Sequence, residues 1–384
     1  MMWAKLPVKV LIIFTSSELG GAERSLTKMA KAAADSTPGI EYFLGTLDGV
    51  GPWCEWAEAI GMSPFVFGKR QGRHGRFGLS AVLGATRFVR ENKVDIIYIL
   101  GFRSSVFFRL LRGFMPGVKV VQGIRWNPNS FSKLDVWFRR VERYAHRVTD
   151  GYITNSIAAN NTLQQLGVPA DKLVTAYNGL DAIPSASELA PASSPLVITV
   201  ANLNYRKGYE PYLFAISKVV EAIPIAKFVF LGRDDLGGVI QSRIDSMNLG
   251  SSVTYAGFQK DVSPYLRSAS LMVLPSLYGE GCPTSVMEAM SYGVPVVAYA
   301  IDGVPELVES GKEGLLVEQV GDIDALANAI TAILQSPDLR NELSKAARSK
   351  AEVCFSIANC CQSHEQFWNR IIYRTAQLAA YNGK

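Results

Sequence analysis

Two carboxylates, Glu280 and Glu288, bracket a short Gly281-Cys282-Pro283-Thr284 run that leads from an apolar strand into a helix. Amides at the start of a helix lack intrahelical partners, and the helix dipole adds positive charge there, so residues 281–284 suit a diphosphate. The two carboxylates stand apart along such a ligand rather than paired: one can reach sugar hydroxyls, the other ribose hydroxyls. Earlier in the chain, Arg206 and Lys207 close the segment VANLNYRKG (200–208). A guanidinium grips phosphate bidentately, and two cations would stabilise the charge that develops on a departing nucleoside diphosphate. Taken singly, each feature also reads as ordinary surface: Glu is common on exposed helix turns, and an Arg-Lys pair before a helix is often merely solvated. The chemistry requires that the fold bring both segments to one edge of one sheet.

The intervening sequence predicts such a fold. Apolar, β-branched runs alternate with helical patterns throughout: Val8–Phe14, 42–46, Ile96–Leu100, 118–122 and 151–155 read as strands, with helices near 22–34, 79–92 and 134–146. The segment 182–195 is rich in Ala, Ser and Pro, lacks periodicity, and reads as a linker. The alternation then restarts at Leu196–Val200, Lys227–Leu231, 253–256, Leu271–Leu274 and 294–298, with helices near Tyr209–Ala222, 239–247 and Thr284–Ser291 and a helix-rich end from 322. Repeated βαβ spacing implies parallel sheets covered by helices on both faces. Two such units predict an α/β protein of two Rossmann-like domains facing a cleft. Pro283 suits the first position of its helix and Gly293 the left-handed cap beyond it.

Composition narrows the class. A chain of 384 residues with 48% hydrophobic and 19% charged residues suits a globular protein of about two domains. No run of about 18 uncharged apolar residues predicts a membrane span. The start, MMWAKLPVKVLIIF, lacks a small-residue cleavage site and reads as a buried first strand rather than a signal peptide. Five scattered cysteines without CxxC spacing indicate neither a disulfide framework nor a zinc site, so a reducing cytoplasm is expected. Three histidines without an HExxH pattern disfavour a metallohydrolase. The net charge of +5 is uneven: residues 1–190 hold 23 Lys and Arg against 15 Asp and Glu, leaving the remainder mildly acidic. Different partners for the two halves follow.

The run EGCPTSVMEAMSYGVPVV (280–297), with Pro275-Ser276 before it, resembles the E-x7-E signature of family 4 glycosyltransferases, which have the GT-B fold. The likeness extends over nearly the whole chain and is strongest from about 196 to 317. It implies an acceptor-binding domain at 1–190, a sugar-nucleotide-binding domain at 191–365, and a C-terminal helix at 366–384 that crosses back to the first. It also implies that Arg206 and Lys207 contact the donor phosphates, that Glu280 orients the sugar, and that Glu288 holds the ribose. Arg206, Lys207 and Glu280 become the expected catalytic residues, with Gly281, Cys282, Pro283 and Thr284 supplying the rest of the phosphate and sugar cradle. Gly232 in LGRDD (231–235) and Phe258 in YAGFQKD (255–261) fall where the family surrounds the nucleotide base. One departure stands at Ala201-Asn202, where relatives often carry Gly-Arg.

In the first half, Gly20 and Gly21 of SELGGAER (17–24) allow a ligand to approach a helix start, and the family has a similar loop near the donor diphosphate. The segments 152–156 and 177–181 also resemble family landmarks. Many relatives carry a His in the loop after the strand at 118–122; here that loop reads GIRWNP, and Arg125 is expected to take its place. Asp234-Asp235 is not a D-x-D motif, and no metal or cofactor is expected. Basic residues cluster at 69–76, 102–114 and 139–147, the second cluster mixed with Phe102, Phe107, Phe108 and Phe114, a pattern suited to an anionic membrane surface, while no nucleic-acid-binding motif accompanies it. The resemblance thus implies a retaining, metal-independent hexosyltransferase that moves a sugar from a nucleoside-diphosphate sugar to a hydroxyl of a sugar or lipid-linked glycan. Its expected place is the cytoplasm or the cytoplasmic face of the membrane, in cell-surface polysaccharide or glycolipid synthesis. The alternatives are a sugar-nucleotide epimerase of the same fold and an inactive, membrane-associated scaffold.

Overall fold

A computed structural model describes residues 7–36, 39–69, 77–129, 132–181, 183–184 and 195–382, with side chains as far as 373. The chain divides into two compact units, Met1–Asp181 with Ile357–Lys384 and Ala182–Ser356. In the first unit the elements run β1 (Val8–Phe14), α1 (Gly21–Ser36), β2 (Ile40–Thr46), α2 (Pro52–Ala59), β3 (Phe65–Val66), α3 (Leu79–Glu91) and β4 (Ile96–Leu100). There follow α4 (Phe102–Leu110), β5 (Lys119–Ile124), α5 (Lys133–Ala145), β6 (Gly151–Thr154), α6 (Ile157–Gln165) and β7 (Leu173–Thr175). The seven strands are all parallel, in the order β3-β2-β1-β4-β5-β6-β7.

The apolar run of β1 serves both faces of this sheet, which is why it shows no polar alternation. Val8, Val10, Ile12 and Phe14 pack with α1, α2 and the chain's last helix, while Leu11 and Ile13 pack with α3 and α4. Deeper along the sheet a buried ion pair joins α4 to α5: Arg109 Nη1 donates to Glu142 Oε1 at 2.7 Å, and Tyr152 OH of β6 donates to Glu142 Oε2 at 2.6 Å. Removing one partner would strand a buried charge, the costly way to break such a pair.

The second unit runs β8 (Leu196–Val200), α7 (Tyr209–Ala222), β9 (Lys227–Leu231), α8 (Val239–Ser246), β10 (Val253–Gly257), α9 (Ser263–Ser268), β11 (Leu271–Leu274) and α10 (Thr284–Ser291). It continues with β12 (Val296–Tyr299), α11 (Val304–Leu307), β13 (Gly314–Val317), α12 (Ile323–Gln335) and α13 (Pro337–Cys354). Its parallel sheet has the order β10-β9-β8-β11-β12-β13. In both sheets the strand order reverses direction once, between β1 and β4 and between β8 and β11. Ligands of open α/β sheets bind outside the carboxyl ends of the strands at such a reversal.

The last helix, α14 (Ile357–Asn382), returns to the first unit. The return begins at Ile357 rather than at 366, because its amide donates to Leu180 O at 3.0 Å. Gly179 admits the close packing, since a Cβ there would meet Ile357 Cα at 2.7 Å. Cys360, Cys361, Phe367 and Trp368 then complete the β1 core. The expected linker is outside the described residues except for 183, 184 and 195, as is the basic run 70–76. Pro283 sits one position earlier than expected, at the N-cap of α10 with ψ 109, while Gly293 has the left-handed φ of 68. The short β3, β7 and β13 were not expected; two to four residues carry too little pattern to be read as strands.

His364 of α14 is fully buried; its Nδ1–H donates to Cys360 O at 2.8 Å, and Nε2 has no partner among the described residues. Burial, reinforced by the charge of Arg125, lowers its pKa to about 3. The unfolded chain therefore takes up a proton near pH 6.5 that the folded chain refuses, and stability drains away as pH falls from there toward 3. His364→Phe should flatten the pH dependence of the urea midpoint between pH 6.5 and 5, where one histidine contributes at most about 1.4 kcal/mol per pH unit. An unchanged slope would show that His364 is not the titrating group.

Candidate functional site

The turn after β8 and the loop after β11 meet at the reversal point of the second sheet. Beyond Val200 the chain forms a single 3-10 turn over Tyr205–Lys207 and enters α7 through Gly208 at φ 65. A Cβ at Gly208 would lie 2.1 Å from Pro275 O, so only glycine lets the two loops approach. Leu277 N donates to Arg206 O at 2.8 Å, tying the loops through their backbones.

Side chains complete the junction. Glu280 Oε1 accepts from Lys207 Nζ at 2.5 Å and from Arg206 Nη1 at 3.2 Å. The same Arg206 nitrogen donates to Gly279 O at 3.0 Å. Glu280 is only 5% exposed. Burial works to raise its pKa, but Lys207 and Arg206 outweigh it, and the carboxyl titrates below its ordinary value. Burial pulls the Lys207 pKa down while Glu280 pulls it back. At that separation a carboxylate held ionised by two cations keeps the ammonium charged, and we take the cluster as ionised at neutral pH.

A residue that sequence reading passed over fixes the loop from the other side. Asp302, in the loop after β12 and held at a left-handed φ of 49, accepts from Gly279 N at 2.7 Å and Glu280 N at 3.0 Å through Oδ2. Its local signal is no more than an Asp-Gly turn after a strand. The role depends on β12 lying beside β11, which local sequence does not announce.

The other expected residues take these places. Gly281, Cys282 and Pro283 are buried and lead into α10, and Cys282 Sγ lies 3.1 Å from Met287 Sδ. Thr284 opens the helix, and Glu288 is half-buried on its second turn. Gly232, at φ 156, ends β9 beside the β8 loop, where a Cβ would meet Ala201 O at 2.1 Å. Phe258 follows β10 and is half-exposed, two strands out from β8. Asp234 is occupied locally, accepting from Leu236 N and Gly238 N to close its own turn.

Gly20, Gly21 and Arg125 belong to the first unit, at the carboxyl edge of its sheet. Asn178 Oδ1 accepts from Ser25 Oγ of α1 and from Arg125 Nη1, each at 3.1 Å, so one amide joins the Gly20–Gly21 helix to the Arg125 loop. Arg125 Nη2 donates to Tyr98 OH of β4 at 2.8 Å. Glu23 folds back toward the start of α1: its Oε2 would lie 2.6 Å from a Cβ placed on Gly20. Burial raises the Glu23 pKa, against hydrogen bonds from its own amide and that of Gly20.

Residues 184–350 match the family described as glycosyl transferases group 1, and residues 19–182 match glycosyltransferase family 4. The chain belongs to glycosyltransferase family 4. It is 30% identical over 200 residues to the amylovoran biosynthesis glycosyltransferase AmsK of Erwinia amylovora, a match covering 50% of this chain and 49% of that protein. The chain therefore spans about half the length of that relative. It is 25% identical over 305 residues to the UDP-Gal:alpha-D-GlcNAc-diphosphoundecaprenol alpha-1,3-galactosyltransferase of Escherichia coli, over 73% of this chain and 76% of that one. Among solved structures, Anabaena Alr3699/HepE in complex with UDP and glucose superposes with a TM-score of 0.79 at 23% identity, over 94% of this chain and 98% of that one. The two parallel-sheet units are those of the GT-B fold. In this family 4 chain the E-x7-E segment is the β11–α10 crossover, and its first Glu is the ionic centre of the junction.

Asp302→Ala should cost about 1.5–3 kcal/mol, the range for a hydrogen bond to a charged group, read from the denaturant midpoint. Asp302→Asn, which keeps an acceptor oxygen, should cost less. An alanine variant as stable as the parent would contradict the bracing role.

Proposed function

We propose that this chain transfers a sugar from a nucleoside diphosphate to a hydroxyl of a glycan or lipid-linked glycan, with retention at the anomeric carbon and without a metal ion. The observation that carries the reading is the ionised Arg206–Lys207–Glu280 cluster at the reversal point of the second sheet. Two cations braced by one carboxylate keep a net positive charge where an incoming diphosphate needs it. Uridine diphosphate is the favoured carrier, in line with the ligand of the Anabaena structure and the name of the Escherichia coli relative. The names of the relatives also favour work on a cell-surface polysaccharide. No helix among the described residues is long and apolar enough to cross a membrane, and we place the reaction at the cytoplasmic face.

In this reading Arg206 and Lys207 hold the diphosphate, joined by the chain at 281–284 and the start of α10. Glu280 orients the sugar, Glu288 takes the ribose hydroxyls, and Gly232 and Phe258 border the base. The acceptor oxygen bonds to the anomeric carbon on the face that the leaving group vacates. The bond from that carbon to the phosphate oxygen breaks with its electrons moving to phosphate, and the hydroxyl proton passes to that oxygen. The cations stabilise the charge developing on the diphosphate, the term expected to dominate the rate.

Incubation with a panel of sugar nucleotides and glycan acceptors should release one nucleoside diphosphate. Arg206→Ala and Glu280→Ala should each lower kcat by roughly 10²–10³, as the loss of a preorganised electrostatic group does. Turnover unchanged in both would sink the mechanism. Activity should survive EDTA and the product should keep the donor's anomeric configuration; loss restored by magnesium, or inversion seen by NMR, would overturn those two points separately.

A further inference from the structure

At the amino edge of the first sheet the chain encloses a cavity lined chiefly by charge. Lys119 opens β5, Asp150 immediately precedes β6 and Lys172 immediately precedes β7, so the three meet at the starts of adjacent parallel strands. Arg112 comes from the 3-10 turn after α4, Arg147 from the turn after α5, and Arg370 from α14. With Asp171 they line an open space of about 410 Å³. The length of β5, roughly 16 Å at about 3.3 Å per residue, separates it from the Arg125 loop at the carboxyl edge.

Five cations face two carboxylates here, and one of the two is already shared. Asp150 Oδ1 accepts from Arg112 Nη2 at 2.9 Å and lies 3.9 Å from Lys119 Nζ, while its Oδ2 accepts from Val120 N at 2.8 Å. Asp171 is exposed. Backbone carbonyls hold much of the rest. Lys172 Nζ donates to Thr149 O at 2.7 Å and to His146 O at 2.9 Å, and Arg112 Nη1 donates to Val148 O at 2.5 Å. Arg370 Nη2 donates to Leu173 O at 3.0 Å, and its guanidinium lies 4.8 Å from the centre of the Phe367 ring. Carbonyls fix these heads in place without cancelling their charge. Burial, and the charge of Arg112, pull the Lys172 pKa down against Asp150 and Asp171, as for a cation short of counter-charge. We propose that this cavity binds a small, multiply charged phosphate compound, with Arg112, Arg147, Lys172 and Arg370 as its donors.

The residue types select that class of ligand. Arginine forks meet phosphate oxygens bidentately, and donors already held in position lose little freedom on binding. The volume falls at the lower end of the roughly 300–1,000 Å³ typical of small-molecule sites. Among the described residues none that lines the cavity is aromatic. Nothing there would stack on a base, so recognition falls on the phosphates themselves. Arg370 belongs to α14 and the other cations to strand ends and turns, so the bound ligand clamps the last helix to the sheet. The proposal stands independently of glycosyl transfer.

Calorimetric titration of the full chain with inorganic pyrophosphate tests it. Two separable binding events are expected, since a diphosphate also suits Arg206 and Lys207. Arg206→Ala should weaken one event and leave the other. Arg147→Gln with Arg370→Gln should lower the affinity of that other event about a hundredfold, at roughly tenfold for each charge. Both side chains are exposed, and an unchanged thermal midpoint without ligand checks the fold. Arg370→Glu should abolish the event. In the Arg206→Ala chain pyrophosphate should also slow amide exchange around residue 370, where α14 is clamped. Loss of all binding in Arg206→Ala, or an isotherm that the Arg147 and Arg370 substitutions leave unchanged, would overturn the proposal. An equal response to sodium chloride at matched ionic strength would show screening rather than a site, and would overturn it too. So would phosphatidylglycerol vesicles bound through these two arginines by a chain that ignores pyrophosphate, which would assign the charge to a lipid headgroup.

Discussion

Everything at the second unit's reversal point depends on one carboxylate shared by two cations. Lys207 is half-buried, its side chain 13% exposed, and an ammonium withdrawn from water without a counter-charge is expensive. Glu280 relieves that cost from a loop far away in sequence, and in doing so locks the β8 turn to the β11 loop. The arrangement needs Gly208, whose missing side chain permits the contact, and Asp302, which holds the amides on which Glu280 is mounted. A diphosphate arriving there would exchange one anionic partner for another, so the cations need not be left bare in either state.

The first unit uses a neutral counterpart of this device. Asn178 links α1 to the loop that carries Arg125, and Tyr98 holds the other guanidinium nitrogen. The buried last helix lies behind this group, with His364 and Trp368 against the Tyr98 ring. Arg125 is thereby fixed from three places, β4, the loop beyond β7 at Asn178 and its own loop, rather than left as a mobile surface cation. The segment 177–181, which sequence shows only as a familiar landmark, fastens three parts of the unit together. Asn178 makes the link to Arg125, Gly179 admits α14, and Asp181 meets Lys28 of α1.

Much of this was legible in the sequence, for identifiable reasons. Strands buried on both faces appear as unbroken apolar runs, so β1, β4, β8, β9 and β11 were read to the residue. The segments around 206 and 280 stood out because their residue types made sense only together. What escaped notice depends on neighbours rather than on local pattern. Asp302 matters because β12 lies beside β11, α14 begins at Ile357 because Gly179 gives it room, and β3, β7 and β13 are too short to show a period.

The most direct test of the central claim is a crystal structure of the chain with a nucleoside diphosphate bound. The account predicts diphosphate oxygens within hydrogen-bonding distance of both Arg206 and Lys207, at the carboxyl ends of β8 and β11. A nucleotide bound elsewhere, or one seated there with the Lys207–Glu280 pair untouched and Arg206 turned away, would contradict it.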